Sequence, residues 1–197
     1  MPQRLELLPR ARRAVAAAAG LLAAVLLAGC ATTPPPAARL GLKLAPQALG
    51  ESISVQQHLR VERNGRSDEL DVALEVDAAH IELVGLALGQ RVLSLSYDGK
   101  DMKTWRHLML PAQVKAEDVL EDVQLTLWPA AALRAALPAG WQIEEGAQRR
   151  TLSLNGETIM RIEYSAPQRW MGTVVLENLR YKYRLTIESA PAEEGQP

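Results

Sequence analysis

Residues that could do acid–base or metal chemistry are few in this sequence and lie far apart. The three histidines, His58, His80 and His107, are separated from one another by more than 20 residues. A metal site or a nucleophile–base pair normally brings several such side chains together, and short motifs with matched spacing reveal it. His58 falls among alternating polar residues, beside Gln56 and Arg60, where a histidine usually faces solvent. We therefore expect no catalytic or metal-binding role for the histidines.

Two groups of carboxylates could be imagined as paired acids or as metal ligands. The first, in residues 68–71, follows an Asn-Gly turn and alternates with apolar residues, as in a strand with one wet face. The second, in residues 117–122, is typical of the solvated face at the start of a helix. The motifs GxSxG, HExxH and CxxC and a glycine-rich phosphate loop are absent from the sequence. The sequence thus favours neither an enzyme nor a protein with a metal or cofactor.

Cys30, the single cysteine, is the residue whose surroundings indicate covalent chemistry. Four arginines precede residues 14–27, an apolar run that is shorter than the roughly 20 residues of a membrane-spanning helix and typical of a signal peptide. Residues 26–30, LLAGC, resemble the lipobox of bacterial lipoproteins. We therefore predict that residues 1–29 are removed and that Cys30 carries the lipid; the alternative is a buried thiol.

The residues after Cys30 predict where the protein is held. Residues 30–39 are Pro-rich and form a tether that cannot build a core. Position 31 is Ala and not the Asp that commonly retains lipoproteins at the inner membrane, so we expect a lipid anchor in the outer membrane, facing the periplasm. Residues 30–197 contain 18 basic and 22 acidic residues, a balance that argues against a nucleic-acid partner.

The remaining chain alternates between apolar and polar residues in most places. Such alternation predicts antiparallel strands with one apolar face, and it is clearest over residues 179–188. The dipeptides Asn64-Gly65, Asp98-Gly99 and Asn155-Gly156 predict hairpin turns between strands. Residues 116–137 instead predict two short helices separated at Pro129. We expect one domain over residues 40–189 and a disordered tail over residues 190–197.

These elements predict an α+β fold that is mainly antiparallel β: a curved half-barrel sheet with a helical insertion covering its apolar concave face. Because two short helices are too small to seal a large sheet, we expect a partly enclosed apolar cavity, where small-molecule sites usually form. Aromatic side chains are the candidates to bind a hydrophobic cargo there, although each one alone is as well explained as ordinary core: Tyr97, Trp105, Trp128, Trp141, Tyr164, Tyr181 and Tyr183, with Trp170 as a further candidate.

The order of these elements resembles the LolA and LolB families, which carry lipoproteins across the periplasm or receive them at the outer membrane. Residues 81–99 (IELVGLALGQRVLSLSYDG) are similar to the strand, loop and strand of LolB that present an exposed leucine to the membrane. The resemblance implies that Leu88, or alternatively Leu86, is a membrane-delivery residue. Ala87 stands where LolB has proline. The resemblance also implies a monomer that exchanges cargo with a LolA-like periplasmic carrier.

A second resemblance covers nearly all of the chain after Cys30. The phrases GLALGQRVLSLSYDG, EDVLEDVQLTLWP and ENLRYKYRLTIESAP resemble bacterial lipoproteins known as a domain of unknown function, which commonly accompany aryl-polyene biosynthesis genes. This implies an aryl-polyene lipid as cargo. The expected function is therefore binding and transfer of a hydrophobic lipid or acyl chain; the alternative is a non-catalytic scaffolding lipoprotein of an envelope export complex.

Overall fold

The computed structural model describes residues 39–192, so Cys30 and the predicted signal peptide lie outside the described residues. A short 3₁₀ helix, Pro46–Leu49, precedes the first strand. Ten strands and two α-helices follow. They are β1 (Ile53–Arg63), β2 (Arg66–Val76), β3 (Ile81–Ala87), β4 (Gln90–Tyr97), β5 (Met102–Arg106), α1 (Ala116–Leu127), α2 (Ala130–Ala136), β6 (Trp141–Glu145), β7 (Arg149–Leu154), β8 (Glu157–Tyr164), β9 (Gly172–Asn178) and β10 (Tyr183–Pro191).

All ten strands form one open sheet in the order β5-β4-β3-β2-β1-β10-β9-β8-β7-β6, and every neighbouring pair is antiparallel. The predicted antiparallel sheet with a helical insertion is therefore confirmed. The two helices break at Pro129, as predicted. Among residues 39–192 no helix is long and apolar enough to span a membrane. The curvature of a half-barrel and the covering of a concave face stay predictions.

The turns explain the register of the sheet. Asn64-Gly65 and Asn155-Gly156 connect their hairpins with both residues at positive φ, between 50° and 83°, the geometry that matches the twist of the strands. At Asp98 the side chain accepts hydrogen bonds from the backbone N–H groups of Lys100 and Asp101. The Asn-Gly dipeptides thus form the turns that the sequence predicts.

Two predicted boundaries at the end of the chain are wrong. The last strand begins at Tyr183 and not at Leu179, because Lys182 takes a positive φ of 53° and ends a turn there. The strand then continues to Pro191, which pairs with Val55 of β1. Ala190 and Pro191 are therefore part of the sheet and not of a disordered tail, because β1 offers them a pairing partner.

One hydrophobic core joins the sheet to the helices. The fully buried residues Leu120, Leu125 and Leu133 of the helices belong to the same cluster as residues from one face of the sheet. We call this face the inner face. Leu42 and Leu49, which precede β1, are also buried in this cluster. Residues 37–197 form a compact unit by themselves, so they can be studied as an isolated domain.

Candidate functional site

On strands β1, β2 and β10 the inner face is fully buried at one end and only half-buried at the other. We call the end where β1 begins at Ile53 the closed end, and the end where β1 finishes the open end. Near the closed end, Val55 pairs with Leu74, and both side chains are fully buried. Nearer the open end, Leu59 pairs with Leu70 on the same two strands, and both are half-buried. The burial of the inner face therefore decreases along β1 and β2, whereas Met160 of β8 and Asn178 of β9 stay buried toward the open end.

Half-buried apolar side chains from α1 and from the sheet share this less covered region. Tyr183, the first residue of β10, donates a hydrogen bond to Asp122 in the middle of α1, which places this part of the helix at the open end. An apolar group that is incompletely buried is a common feature of sites for hydrophobic partners. We call the following residues, which all pack against the core, the apolar mouth: Leu59, Leu70, Val119, Val123 and Leu185.

A buried ionic cluster lies beside the apolar mouth. The Asp122 carboxylate accepts hydrogen bonds from Arg39 at 2.6 Å and from the Tyr183 hydroxyl at 2.7 Å. The Arg39 guanidinium also lies 5.4 Å from the centre of the Tyr181 ring and 5.7 Å from that of Tyr183. These contacts hold the first described residue of the chain against α1 at the open end. Two of the seven candidate aromatic residues, Tyr181 and Tyr183, thus bind Arg39.

The predicted solvated acidic face of α1 is wrong at Glu121 and Asp122. Glu121 is only 2% exposed, and its carboxylate accepts a hydrogen bond of 2.6 Å from the backbone N–H of Gly41. The Gln124 side chain accepts from the N–H of Leu44 and donates to its carbonyl. These polar side chains replace the backbone partners that residues 41–44 would have in a sheet, and they fix this segment on the helix.

Burial raises the pKa of Asp122 to about 6, although the hydrogen bonds from Arg39 and Tyr183 favour the ionised form. Burial likewise raises the pKa of the Tyr183 hydroxyl, and the adjacent Asp122 charge raises it further. A carboxyl group whose pKa is higher in the folded than in the unfolded protein binds its proton more tightly in the folded state. Its contribution to stability is complete below the unfolded pKa and is lost as the pH rises through about 6.

We predict that Asp122→Asn reduces the loss of stability between acidic and neutral pH. In the parent domain, Asp122 should lower the free energy of unfolding by up to about 3 kcal/mol between roughly pH 4 and pH 8, at about 1.4 kcal/mol per pKa unit. Urea unfolding at a series of pH values measures this slope. Glu117→Gln, an exposed acidic residue on the same helix, is the control for the removal of a negative charge. An unchanged slope in Asp122→Asn would contradict the assignment.

Three candidate aromatic residues, Tyr97, Trp128 and Tyr164, are core residues and not part of the apolar mouth. All three are buried. Burial raises the pKa of the Tyr164 hydroxyl to about 12. Each polar atom donates a hydrogen bond to a backbone carbonyl: Tyr97 to Lys43 at 2.9 Å, Trp128 to Ala45 at 3.3 Å and Tyr164 to Thr126 at 2.8 Å. These hydrogen bonds therefore hold the segment before β1 and the end of α1 against the core.

The other candidate aromatic residues are dispersed. Trp105 is on the edge strand β5, 41% exposed, with the guanidinium of Arg91 4.6 Å from its ring centre. Trp141 and Trp170 are half-buried at the border of the core. The seven candidates are thus divided between the core, the Arg39 cluster and the sheet edge, and the structure does not bring them together around one cavity. The sequence could not separate these cases because each ring fits an apolar pattern equally well.

Arg150 is the most deeply buried charged side chain of this region, with 1% exposure. Its guanidinium donates to the backbone carbonyls of Leu125 and Trp128 and, at 2.7 Å, to the Glu145 carboxylate. Arg169 donates to the same carboxylate at 2.5 Å. Burial opposes the charge on Glu145, but the two arginines outweigh this effect and lower its pKa. Arg150 therefore satisfies the carbonyl groups at the end of α1, which have no partner within the helix.

Two open hollows within residues 39–192 are lined mainly by polar residues, and no residue of the two α-helices lines either of them. One, of about 520 Å³, is lined by residues that include His58, Asp71 and Glu188. The other, of about 540 Å³, is lined by residues 62–67 and by residues near Tyr183. The expected enclosed apolar cavity is not one of these two hollows, and it stays a prediction.

His58 lies on the outer, polar face, as the sequence predicts, and its Nδ1 atom is 2.9 Å from Asp71. The hydrogen bond with Asp71 raises the pKa of His58. Within the described part of the chain, no group of three or more His, Cys, Asp or Glu side chains could hold a metal ion.

The two leucines proposed for membrane delivery differ in exposure. Leu86 pairs with Asp71 and Arg91 within the sheet and is half-buried. Leu88 is the first residue of the β3–β4 turn and is 94% exposed. Leu108, 98% exposed in the connection after β5, was not foreseen as a candidate. Its exposure becomes evident only when β5 is seen to end at Arg106.

The described residues define a small protein with an open ten-stranded antiparallel sheet and an apolar mouth at one end. A family model described as DUF3261, protein of unknown function, matches residues 54–191. The chain therefore belongs to the DUF3261 family. This match confirms the resemblance to a domain of unknown function, while the link to aryl-polyene genes stays a prediction. A search of curated proteins gave no match.

Three solved structures are similar to this chain at low sequence identity. A LolA superfamily protein from Nitrosomonas europaea is 10% identical with a TM-score of 0.42, covering 80% of this chain and 93% of its own. A DUF1329 family protein from Desulfovibrio piger is 12% identical with a TM-score of 0.34, covering 80% and 92%. The MucA/MucB complex of Pseudomonas aeruginosa matches at 16% identity and a TM-score of 0.38, covering 77% and 57%. We build no functional argument on them because the TM-scores are low.

Proposed function

We propose that this protein is a lipoprotein, anchored in the outer membrane through Cys30 and facing the periplasm, that binds a hydrophobic lipid or acyl chain and transfers it to the membrane. The observation that carries this proposal is the apolar mouth. On β1, β2 and β10 the inner face is fully buried at the closed end and half-buried at the open end, and this offers a hydrocarbon chain a place to continue the core.

The chain of the lipid would enter between α1 and the strands β1, β2 and β10. Each methylene removed from water contributes roughly 0.8 kcal/mol, so a few buried carbons are enough to determine the direction of transfer. Entry requires α1 or the segment before β1 to move outward, since Leu42 and Leu120 on these elements are buried in the core. Leu88 would then contact the bilayer during release. This function needs no cofactor and no nucleotide.

The finer identity of the cargo is part of the proposal. An aryl-polyene lipid is the candidate implied by the sequence resemblance, and a LolA-like periplasmic carrier is the candidate donor. An extended polyene has the narrow cross-section of an acyl chain, which suits an entrance formed by small groups of leucine and valine side chains.

We predict that Leu185→Gln weakens binding of a fluorescent fatty acid to residues 37–197 by about tenfold. Replacing a half-buried leucine of the apolar mouth removes roughly 1.4 kcal/mol of apolar contact, which corresponds to a factor of ten in affinity. Fluorescence titration measures the dissociation constant. Thr186→Gln is the matched control, since Thr186 is half-buried on the opposite face of the same strand. Absence of binding by the parent, or equal losses in both variants, would contradict the proposal.

A scaffolding lipoprotein of an envelope export complex is a second candidate function. The burial of the helix residues favours it, since Trp128, Leu125 and Leu133 are fully buried and neither of the two hollows is lined by a helix residue. A scaffold would need no space for a ligand. A polarity-sensitive dye distinguishes the two functions, because it should become fluorescent with a lipid-binding protein and stay dark with a scaffold.

A further inference from the structure

The topology determines which connections of the sheet share one end. The strand order alternates between odd and even strand numbers across the whole sheet, and all neighbours are antiparallel. All odd-numbered strands therefore run in the same direction. Since β1 finishes at the open end, every connection that follows an odd-numbered strand lies there. These are residues 64–65, 88–89, 107–115, 155–156 and 179–182.

The most exposed large apolar side chains of residues 39–192 are all at this end. Leu88 and Tyr181 lie in the connections after β3 and β9. Leu108 and Met109 lie in the connection after β5, at 98% and 55% exposure, and Trp105 is the last residue but one of β5. Scattered exposed apolar residues need no explanation, but a set confined to one end of a domain marks an interaction surface.

Leu88 occupies a backbone position that does not suit leucine. Its φ is 52°, and Gly89 follows at 72°. The Asn64-Gly65 and Asn155-Gly156 turns have nearly the same pair of angles, with asparagine at the first position. Asparagine tolerates the left-handed region, whereas a bulky side chain there is strained. A strained and fully exposed leucine stabilises neither the turn nor the core, so its side chain is explained by a contact outside the domain.

The charge at the open end matches an anionic partner. The five connections contain Lys115, Arg180 and Lys182 and neither aspartate nor glutamate. Arg180 is ion-paired with Glu157 at 2.7 Å, and Glu117 and Asp118 follow Lys115 in the first turn of α1, so Lys115 and Lys182 are the basic residues that the argument uses. The connections after β2 and β4, at the opposite end, contain Asp77, Asp98 and Asp101 among others. Exposed apolar side chains with basic neighbours are the composition of surfaces that bind anionic membranes.

Arg39, the first described residue after Cys30, lies at the open end. Arg39 contacts Tyr181 and Tyr183, which lie at the turn between β9 and β10. Nine residues after Cys30 the chain reaches Arg39, and nine residues span at most about 30 Å. This step rests on the proposed lipid anchor, whereas the topology, exposure and charge do not. With that anchor, the open end is the part of the domain that is held near the bilayer.

We propose that the open end of the sheet is a membrane-docking surface: Leu88, Leu108, Met109, Trp105 and Tyr181 insert among the lipids while Lys115 and Lys182 contact anionic headgroups. The apolar mouth then opens toward the membrane. A hydrocarbon chain can pass between the mouth and the bilayer over a short distance without crossing water.

Sedimentation with lipid vesicles tests this surface without any bound cargo. Residues 37–197 are mixed with vesicles of phosphatidylcholine, with or without phosphatidylglycerol. We expect binding that is stronger on the vesicles with phosphatidylglycerol and that weakens with added salt. Leu88→Asn should weaken the binding and yet raise or preserve the melting temperature, because asparagine suits the backbone at this position. Leu88→Asn with Leu108→Ser should reduce binding at least about tenfold.

The matched control adds an apolar side chain at the opposite end. Ala78→Leu, in the exposed connection after β2, should leave vesicle binding unchanged. The proposal is overturned if the parent domain binds neither vesicle, as expected for a surface that docks a protein, or if the Leu88 and Leu108 substitutions leave the binding unchanged. Since fatty-acid binding is measured separately, a failure here does not depend on the outcome for the apolar mouth.

Discussion

Arg150→Met is expected to lower the free energy of unfolding of residues 37–197 by about 3–5 kcal/mol, the usual cost of breaking a buried ion pair from one side. The substitution removes the donors to the carbonyls of Leu125 and Trp128, which are buried and cannot turn to water. It also leaves the Glu145 carboxylate with Arg169 as its remaining charged partner. Methionine fills much of the same volume, so the decrease in the free energy of unfolding reflects the lost polar contacts more than a new cavity.

The neighbouring Arg149 provides the control for this prediction. Arg149 is exposed and pairs with Glu163 across β7 and β8 at 2.9 Å. Exposed ion pairs contribute little, so Arg149→Met should change the stability by less than about 1 kcal/mol. Urea unfolding followed by circular dichroism measures both variants. If Arg150→Met lowered the free energy of unfolding no more than Arg149→Met, the assignment of Arg150 as the residue that holds the end of α1 to the sheet would be contradicted.

The sequence carries enough information to predict most of the sheet. Alternation of apolar and polar residues is a local signal with period two, and Asn-Gly turns have a backbone requirement that few residues meet. The break at Pro129 follows from the missing N–H of proline. Alternation misleads where a turn happens to continue it: Leu179 and Tyr181 keep the pattern of β10, but the positive φ at Lys182 places them before the strand.

The site could be predicted only in part, because its features depend on contacts between distant segments. Glu121 and Asp122 have the spacing of a solvated helix face, and nothing local indicates that residues 39–44 lie on them. The membrane-docking surface depends on the strand order, since it combines connections that are far apart in the chain. The exposure of Leu88 was anticipated from a resemblance, but the strain at its backbone appears only in the structure.

The central claim is that a hydrocarbon chain enters the apolar mouth. The most direct measurement is photolabelling of residues 37–197 with a fatty acid that carries a diazirine near the end of its chain, followed by mapping of the labelled peptides by mass spectrometry. We expect the label on α1 around Val119 and Val123 and on the strands around Leu59 and Leu185, and we expect excess unlabelled fatty acid to remove it. Label confined to the outer face or the closed end, or label that no competitor removes, would contradict the claim.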